Sequence, residues 1–425
     1  MIIIPKYLDL FAGAGGLSEG FIRAGYEPVA HVEMDAAACY TLRTRTAYHW
    51  LKKENNLVPY TKYLAGDISR KDFYDLIPKE ILGSVLNYEI SEESLPGIFK
   101  DIDALLDGEK LDLIVGGPPC QAYSIAGRSR SENKMIGDKR NYLYRLYAEF
   151  LKKYQPKYFV FENVLGLLSA KDEDGSLHFD NMRTLFKKCG YTTDFRILNA
   201  SDYGVLQNRK RIILIGFYPK ISAVGDTHKV GELFCDLPAL KAGEGVITPV
   251  KTAHYTGKYL FSAGIKEYDE EAVTFHQARP NTAQDLEIYR IVVDTWNKSK
   301  TRVSYTDLPE RLRSHNNTKS FLDRFKVVAG NLPYAQTVVA HISRDGHYFI
   351  HPDIKQNRSI TPREAARIQT FPDNYFFESV TGRPSRTLAY KQIGNAVPVC
   401  LSYHIANALL ARFTEGDKNV EESDT

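Results

Sequence analysis

Cysteine is scarce in this 425-residue chain: Cys39, Cys120, Cys189, Cys235 and Cys400 are the only five, and no two form a Cys-x-x-Cys pair. An odd, scattered set excludes a disulfide framework and a thiolate metal site, so a reducing compartment and no metal are expected. No apolar run approaches the ~18 residues of a membrane span, and the opening MIIIPK is too short for a secretory signal. The expected location is therefore cytoplasmic, with no membrane partner. A large excess of either charge is missing too: 55 Lys and Arg stand against 52 Asp and Glu, for a net +3. Any nucleic-acid surface must then be a local patch rather than the whole molecule. No internal repeat is found, which argues against a solenoid or propeller. With 43% hydrophobic and 25% charged residues the composition is that of an ordinary globular protein, long enough for two domains.

What is present begins with a rhythm of strands and helices. KYLDLF (6–11), PVAHVE (28–33), YLAGDI (63–68), LDLIV (111–115), YFVFE (158–162), 193–198 and RIILIGF (211–217) read as strands. Helical stretches stand between most of them, at 17–24, 35–46, 142–154 and 181–189. This alternation predicts an α/β fold with a doubly wound, mostly parallel seven-stranded sheet in a catalytic and cofactor-binding domain over 1–217. From about 218 to 353 the rhythm stops, and short irregular segments broken by Gly and Pro carry interleaved basic and aromatic residues. A smaller, irregular, β-rich domain over 218–385 is expected there. A helix capped by Thr361, with Pro362 in its first turn and Glu364 at its third position, follows. Residues 386–413 return to the first domain, and the polar tail 414–425 reads as disordered.

Two ends of the predicted sheet carry chemistry. DLFAGAGG, between strand one and the next helix, is a glycine-rich turn that brings backbone amides close to a ligand. The third glycine of the dinucleotide fingerprint is missing, since Ser18 stands there. Glu33 and Asp67 each end a predicted strand, where one carboxylate could bind ribose hydroxyls and the other an adenine amino group. Together they point to a nucleoside ligand, without separating a nicotinamide cofactor from S-adenosylmethionine.

At the other end, GGPPCQ (116–121) presents Cys120 on a rigid loop at the carboxyl end of a strand. Taken alone, such a cysteine reads first as a small buried hydrophobe with an inert thiol. Glu162 ends the neighbouring strand, and QNRKR (207–211) supplies fixed positive charge at the same edge. A thiolate, a protonatable carboxyl, arginines and a nucleoside cofactor are what methylation at C5 of cytosine requires. That carbon becomes nucleophilic only after a thiolate adds at C6, with help from an acid at N3 and a cation at O2.

In these residues the chain resembles the DNA (cytosine-5) methyltransferases of bacteria and phages. The resemblance runs nearly end to end and in the family's order: DLFAGAGGLSEGF (9–21), HVEMD (31–35), GDI (66–68), GGPPCQAYS (116–124), FENV (161–164), QNRKR (207–211), RSITPREAARIQTFPD (358–373) and KQIGNAVP (391–398). It implies Cys120 as nucleophile and Glu162 as the N3 partner. Arg209 and Arg211 would hold the cytosine and the active-site geometry. S-adenosylmethionine would lie across Phe11, Gly13, Gly15, Gly16, Leu17, Glu33, Met34, Asp67, Ile68, Pro119, Leu143, Asn395 and Ala396. Met34 stands where the family often has an aromatic residue that stacks on adenine.

Cytosine C6 is unreachable inside a duplex, so the resemblance implies base flipping out of double-stranded DNA. The basic loop 121–140 could close over DNA, with Gln121, Ser124, Arg128 and Arg130 near the substrate. In the second domain Arg311, Arg313, His315, Lys319, Arg324 and Lys326 form the densest basic cluster, expected to contact phosphates. Thr337-Val338 looks like the Thr-Leu type dipeptide of target-recognition domains. A monomer that protects DNA beside a cognate restriction endonuclease is the family's usual role. A tRNA cytosine-5 methyltransferase and a catalytically dead DNA-binding regulator are the rival readings.

Overall fold

The computed structural model describes residues 4–119, 142–216, 219, 221–225, 227–314 and 322–415. Seven strands form one sheet: β1 Lys6–Leu10, β2 Glu27–Glu33, β3 Val85–Asn87, β4 Leu113–Gly116, β5 Tyr158–Asn163, β6 Asp194–Asn199 and β7 Lys210–Ile215. Their order is β3-β2-β1-β4-β5-β7-β6. The first five are parallel, and β7 runs antiparallel to both β5 and β6.

Alternation along the strands explains why both faces are covered. Leu8, Leu10, Ile114, Phe159 and Phe161 point to one side. There they meet helices α6 (Leu95–Leu106), α7 (Leu143–Tyr154) and α8 (His178–Lys188). Tyr7, Leu113, Val115, Val160 and Ile213 point to the other, against α1 (Gly16–Arg23) and α12 (Val399–Glu415). Residues 386–413 are, among the described residues, the one stretch long and apolar enough to cross a bilayer. Its apolar window is 67% buried within the protein, so it serves as core here.

The third strand differs from expectation. Tyr63–Ala65 is the end of helix α3 (Val58–Ala65), which follows α2 (Ala36–Lys53). Pro59 sits in the first turn of α3, Tyr60 and Tyr63 are buried one turn apart, and Gly66 caps the end in a left-handed conformation. Helices α4 (Arg70–Asp75) and α5 (Lys79–Gly83) come next, and only then β3. Asp67 is therefore an exposed residue after a helix, and Asn87 is the residue that ends strand three.

Beyond residue 216 the expectation of a β-rich region is also corrected. The described strands there are two residues each, Gly245–Val246 and His276–Gln277. The largest element is α9 (Ala283–Ser299), whose Thr282 hydroxyl and Asp285 carboxylate form a capping box. α10 (Pro362–Ile368) forms as expected, with the Thr361–Glu364 capping box in place. α11 (Arg386–Asn395), capped by Ser385, precedes α12. One apolar cluster runs from Ala47 and Tyr63 through Leu233, Leu260 and Val338 to Ala366, Phe371 and Ile393. It joins α2 and α3 to the region after 216 and to α10 and α11.

Candidate active site

The strand order reverses between β1 and β4, and the loops leaving their carboxyl ends part at that point. Leu10 is level with Gly116, and Gly116 with Phe161, so β1 and β4 end together and β5 runs two residues further, through Glu162 to Asn163. Phe11, Gly13 and Gly15 all have positive φ, which turns the chain sharply from β1 into α1. Phe11 holds that conformation without a glycine's freedom, a local strain of the kind found at ligand sites.

Glu33, at the end of β2, ties this loop down. One carboxylate oxygen accepts the Gly13 amide at 2.8 Å and the other the Asp35 amide at 2.7 Å. Burial raises the pKa of this carboxyl. A Cβ on Gly16 would lie 2.4 Å from the Val397 carbonyl and 3.0 Å from the Ala396 Cβ, so Gly16 lets the 396–397 backbone rest on α1. Leu17 is buried beside it. Met34 is 56% exposed next to Glu33, and the Asn87 amide donates to the carbonyls of both. Asn395 is exposed at the end of α11. Leu143 is half-buried at the start of α7, and so is Pro119 after β4.

Of the residues expected to bind a cofactor, the structure thus gathers Phe11, Gly13, Gly15, Gly16, Leu17, Glu33 and Met34 around one strand-end loop, with Ala396 against it. Asp67 and Ile68 do not join them. Ile68 packs instead against the apolar cluster of α2 and α3. Asp9 is an addition. It is buried in β1, and neither carboxylate oxygen has a hydrogen-bond partner among the described residues. Burial, and next the Glu33 charge, push its pKa well above the usual carboxylate range. The expectation passed over it because an acid inside DLF reads as part of a strand.

The second half of the site lies at β5. Glu162 Oε1 pairs with Arg211 Nε at 2.7 Å, the two side chains being 12% and 14% exposed. The carboxylate lies over Gly117, where a Cβ would come within 2.6 Å of Oε2. Glycine at 117 is thus what allows the carboxyl to sit beside the segment leading to Cys120. Asn163, also passed over, is buried, and its amide donates to the Pro118 carbonyl at 3.3 Å, fastening the same segment from below. Cys120 itself lies outside the described residues, as do Gln121, Ser124, Arg128, Arg130, His315 and Lys319.

Arg209 lies on the same segment as Arg211. Its side chain is buried and donates to the Val338 carbonyl at 2.6 Å and the Gly394 carbonyl at 3.3 Å. Of the two arginines, only Arg211 pairs with Glu162. The basic cluster is largely self-compensated: Arg311 forks onto Glu287, Arg324 lies 3.5 Å from Asp345, and Lys326 lies 2.6 Å from Asp323. Arg313 is exposed. The Thr337 hydroxyl donates to the Asn208 carbonyl.

Against known proteins, a family model described as C-5 cytosine-specific DNA methylase matches residues 5–62 and 88–411. The chain belongs to the C-5 cytosine-specific DNA methylase family. The unmatched stretch, 63–87, contains the GDI at 66–68, in line with the placement of Asp67 outside the strand ends. The chain is 38% identical to the Type II methyltransferase M.Bpa9945I of Bacillus paralicheniformis, over 95% of this chain and 98% of that one. It is 30% identical to the Type II methyltransferase M.DdeI of Desulfomicrobium norvegicum, over 95% and 88%. Among solved structures, a DNA modification methyltransferase encoded within a prophage (E. coli) superposes with a TM-score of 0.61 at 22% identity, over 96% of this chain and 99% of that one. The S. pombe Dnmt2 methyltransferase superposes at 0.51 and 14%, over 95% and 98%. The methyltransferase fold is thereby established.

Proposed function

We propose that this methylase transfers a methyl group from S-adenosylmethionine to C5 of a cytosine within a specific duplex DNA sequence. The observation that carries the reading is the Arg211–Glu162 pair seated over Gly117, three residues before Cys120 in a chain of this family. Cys120 adds to C6 of the flipped base, and Glu162 engages N3 as that bond forms. Arg211 keeps the carboxyl aimed and offers its remaining guanidinium donors to the cytosine O2. C5, made nucleophilic by that addition, would take the methyl group, and loss of the C5 proton to water with departure of the Cys120 thiolate would then restore the ring.

The strand-end loop fits the proposed cofactor. Both oxygens of Glu33 keep lone pairs free for ribose hydroxyls, Met34 offers an exposed apolar face, and no atom stands within 4 Å of the Cβ position on Gly13. When bound, the cofactor supplies an electrophilic methyl on sulfonium; the chain's own task is to hold it level with the carboxyl end of β4. The relatives carry the name Type II methyltransferase, and from the family resemblance we further propose that the enzyme acts as a monomer and protects DNA at the site cut by a companion restriction endonuclease. The recognition domain is proposed to span 218–385.

The test is transfer of labelled methyl from S-adenosylmethionine to mixed genomic DNA and, separately, to tRNA. Label in DNA that disappears with Cys120→Ser is the expected result, and bisulfite sequencing of the product gives the target. Label only in tRNA would overturn the substrate. DNA binding without any label would make the protein a regulator. Arg211→Lys, which keeps the charge but loses the fork, should lower transfer by roughly 10²–10⁴-fold, the range of a lost acid–base positioning contact.

A further inference from the structure

The Val338 peptide is gripped on both sides by the segment that also positions Glu162. Its N–H donates to Gln207 Oε1 at 2.8 Å, and its carbonyl accepts from Arg209 at 2.6 Å. Gln207 is fully buried. With its oxygen committed to Val338, its amide nitrogen donates to the Ile368 carbonyl at 3.2 Å and to Gln369 Oε1 at 2.9 Å. That in turn fixes Gln369, also fully buried, with its amide nitrogen on the carbonyls of Ile393 (2.8 Å) and Ala396 (3.1 Å). The donor direction therefore runs one way, from Val338 through two glutamines to the last turn of α11 and the Ala396 that follows it. Arg209 makes a second strut to the same turn, through Gly394. Between the struts the backbones touch: a Cβ on Gly394 would lie 2.3 Å from the Ala340 nitrogen and from the Val339 carbonyl carbon.

We infer that Gln207 and Gln369 are positioning residues which couple the segment around Thr337-Val338 to the loop at Asn395-Ala396, so that binding of DNA and binding of cofactor favour each other. This rests on the reading above, in which the first segment faces DNA and the second faces the cofactor. Val338 cannot shift relative to residues 393–396 without breaking hydrogen bonds in a dry interior, where an unpaired amide is costly. A ligand that orders one end therefore orders the other. The coupling is reciprocal by linkage.

The experiment titrates duplex DNA, bearing the target mapped by bisulfite sequencing, against the full-length protein with and without S-adenosylhomocysteine. In the wild type, S-adenosylhomocysteine should tighten DNA binding by a factor within the roughly 5–150-fold range of site-to-site couplings, and DNA should tighten S-adenosylhomocysteine binding equally. Gln369→Met keeps the volume and removes the relay. It should bind each ligand alone about as well as the wild type while the coupling factor falls severalfold, the strut from Arg209 to Gly394 being left in place. A merely structural role would weaken both single-ligand affinities and leave the ratio intact, which would overturn the inference. So would a wild type that binds both ligands without coupling. A wild type that binds neither ligand would instead overturn the function proposed above, and this inference with it. Should Gln369→Met fail to fold, hydrogen exchange on the wild type decides. S-adenosylhomocysteine alone should slow exchange of the Val338 amide more than that of Val292 in α9; equal slowing would overturn the coupling.

Discussion

On the face of the sheet under α6, α7 and α8 the enclosed side chains are mostly apolar: Ile114, Phe159, Phe161 and Leu214 lie against Tyr147, Phe150 and Phe186. Around α10 the fully enclosed side chains include Arg358, Arg363, Glu364 and Arg367. Arg367 uses all five donors: two on Asp373, two on Asp236 and one on the Leu233 carbonyl. Lys266 completes the group with 2.7 Å to Asp236 and 2.8 Å to Thr252. Arg358 forks onto Glu364, whose carboxylate also closes the cap of α10. The difference follows from secondary structure. A sheet sandwiched by helices can bury continuous apolar strands, whereas an irregular chain exposes carbonyls at every bend and needs donors to close them. Arginine supplies five in a planar fork. The region expected to read DNA is thus fastened by directional bonds, which hold loops in one arrangement where apolar packing alone would tolerate several.

Arg367→Met tests the comparison most severely. It leaves Asp236 and Asp373 buried with Lys266 and, 4.0 Å from Asp373, Arg363 as their remaining cations, and should cost about 3–5 kcal/mol, the range for breaking a buried pair on one side. Urea unfolding checks this, and the loss should be smaller when Asp236→Leu is added, because one stranded charge is then removed. On the sheet side, Leu214→Ala should cost about 2–4 kcal/mol through lost burial and the cavity left behind. That loss should be the same at pH 5 and pH 8, since no charge is involved. If both variants showed the same pH dependence, the contrast between the two regions would fail.

The same contrast explains what was legible beforehand. Strands such as RIILIGF stand out because apolar and β-branched residues run together, so six of the seven sheet strands fall near their expected places. The third is misplaced because β3 is only Val85–Asn87 in a polar stretch, while YLAGDI imitates a strand. Helix α9 escapes notice because its buried Ile288, Val292 and Val293 are β-branched, although Thr282 and Asp285 mark its start. In the site, Glu162 and Arg211 are readable as motif residues. The Gln207–Gln369 contact joins residues 162 apart in sequence, and nothing local hints at it. The internal pairing of Arg311, Arg324 and Lys326 is hidden for the same reason, since which acid meets which base depends on how loops return.

The smallest expected effect concerns the one acid that spoils the balance beside Arg367. Glu271 is buried, accepts the Glu267 amide at 2.9 Å, and is pushed up to about 7, first by burial and then by Asp373 and Glu267, with Lys266 opposing. Its carboxyl ordinarily titrates near 4.5. Between those values the folded protein holds a proton that the unfolded chain has released, so this group favours folding below about pH 4.5 and loses that contribution as pH rises through about 7. Glu271→Gln keeps an oxygen for the Glu267 amide and removes the charge that must otherwise be buried at neutral pH. The variant should lie close to the wild type at pH 5 and exceed it by about 2–3 kcal/mol at pH 8, with the difference opening between those values. Thermal unfolding across pH 5–8 reads it directly. A variant less stable than the wild type at pH 8 would mean that Glu271 is ionised and paired in the folded protein. The polar group around α10 would then carry Glu271 as a third anion beside Asp236 and Asp373, facing Arg363, Arg367 and Lys266.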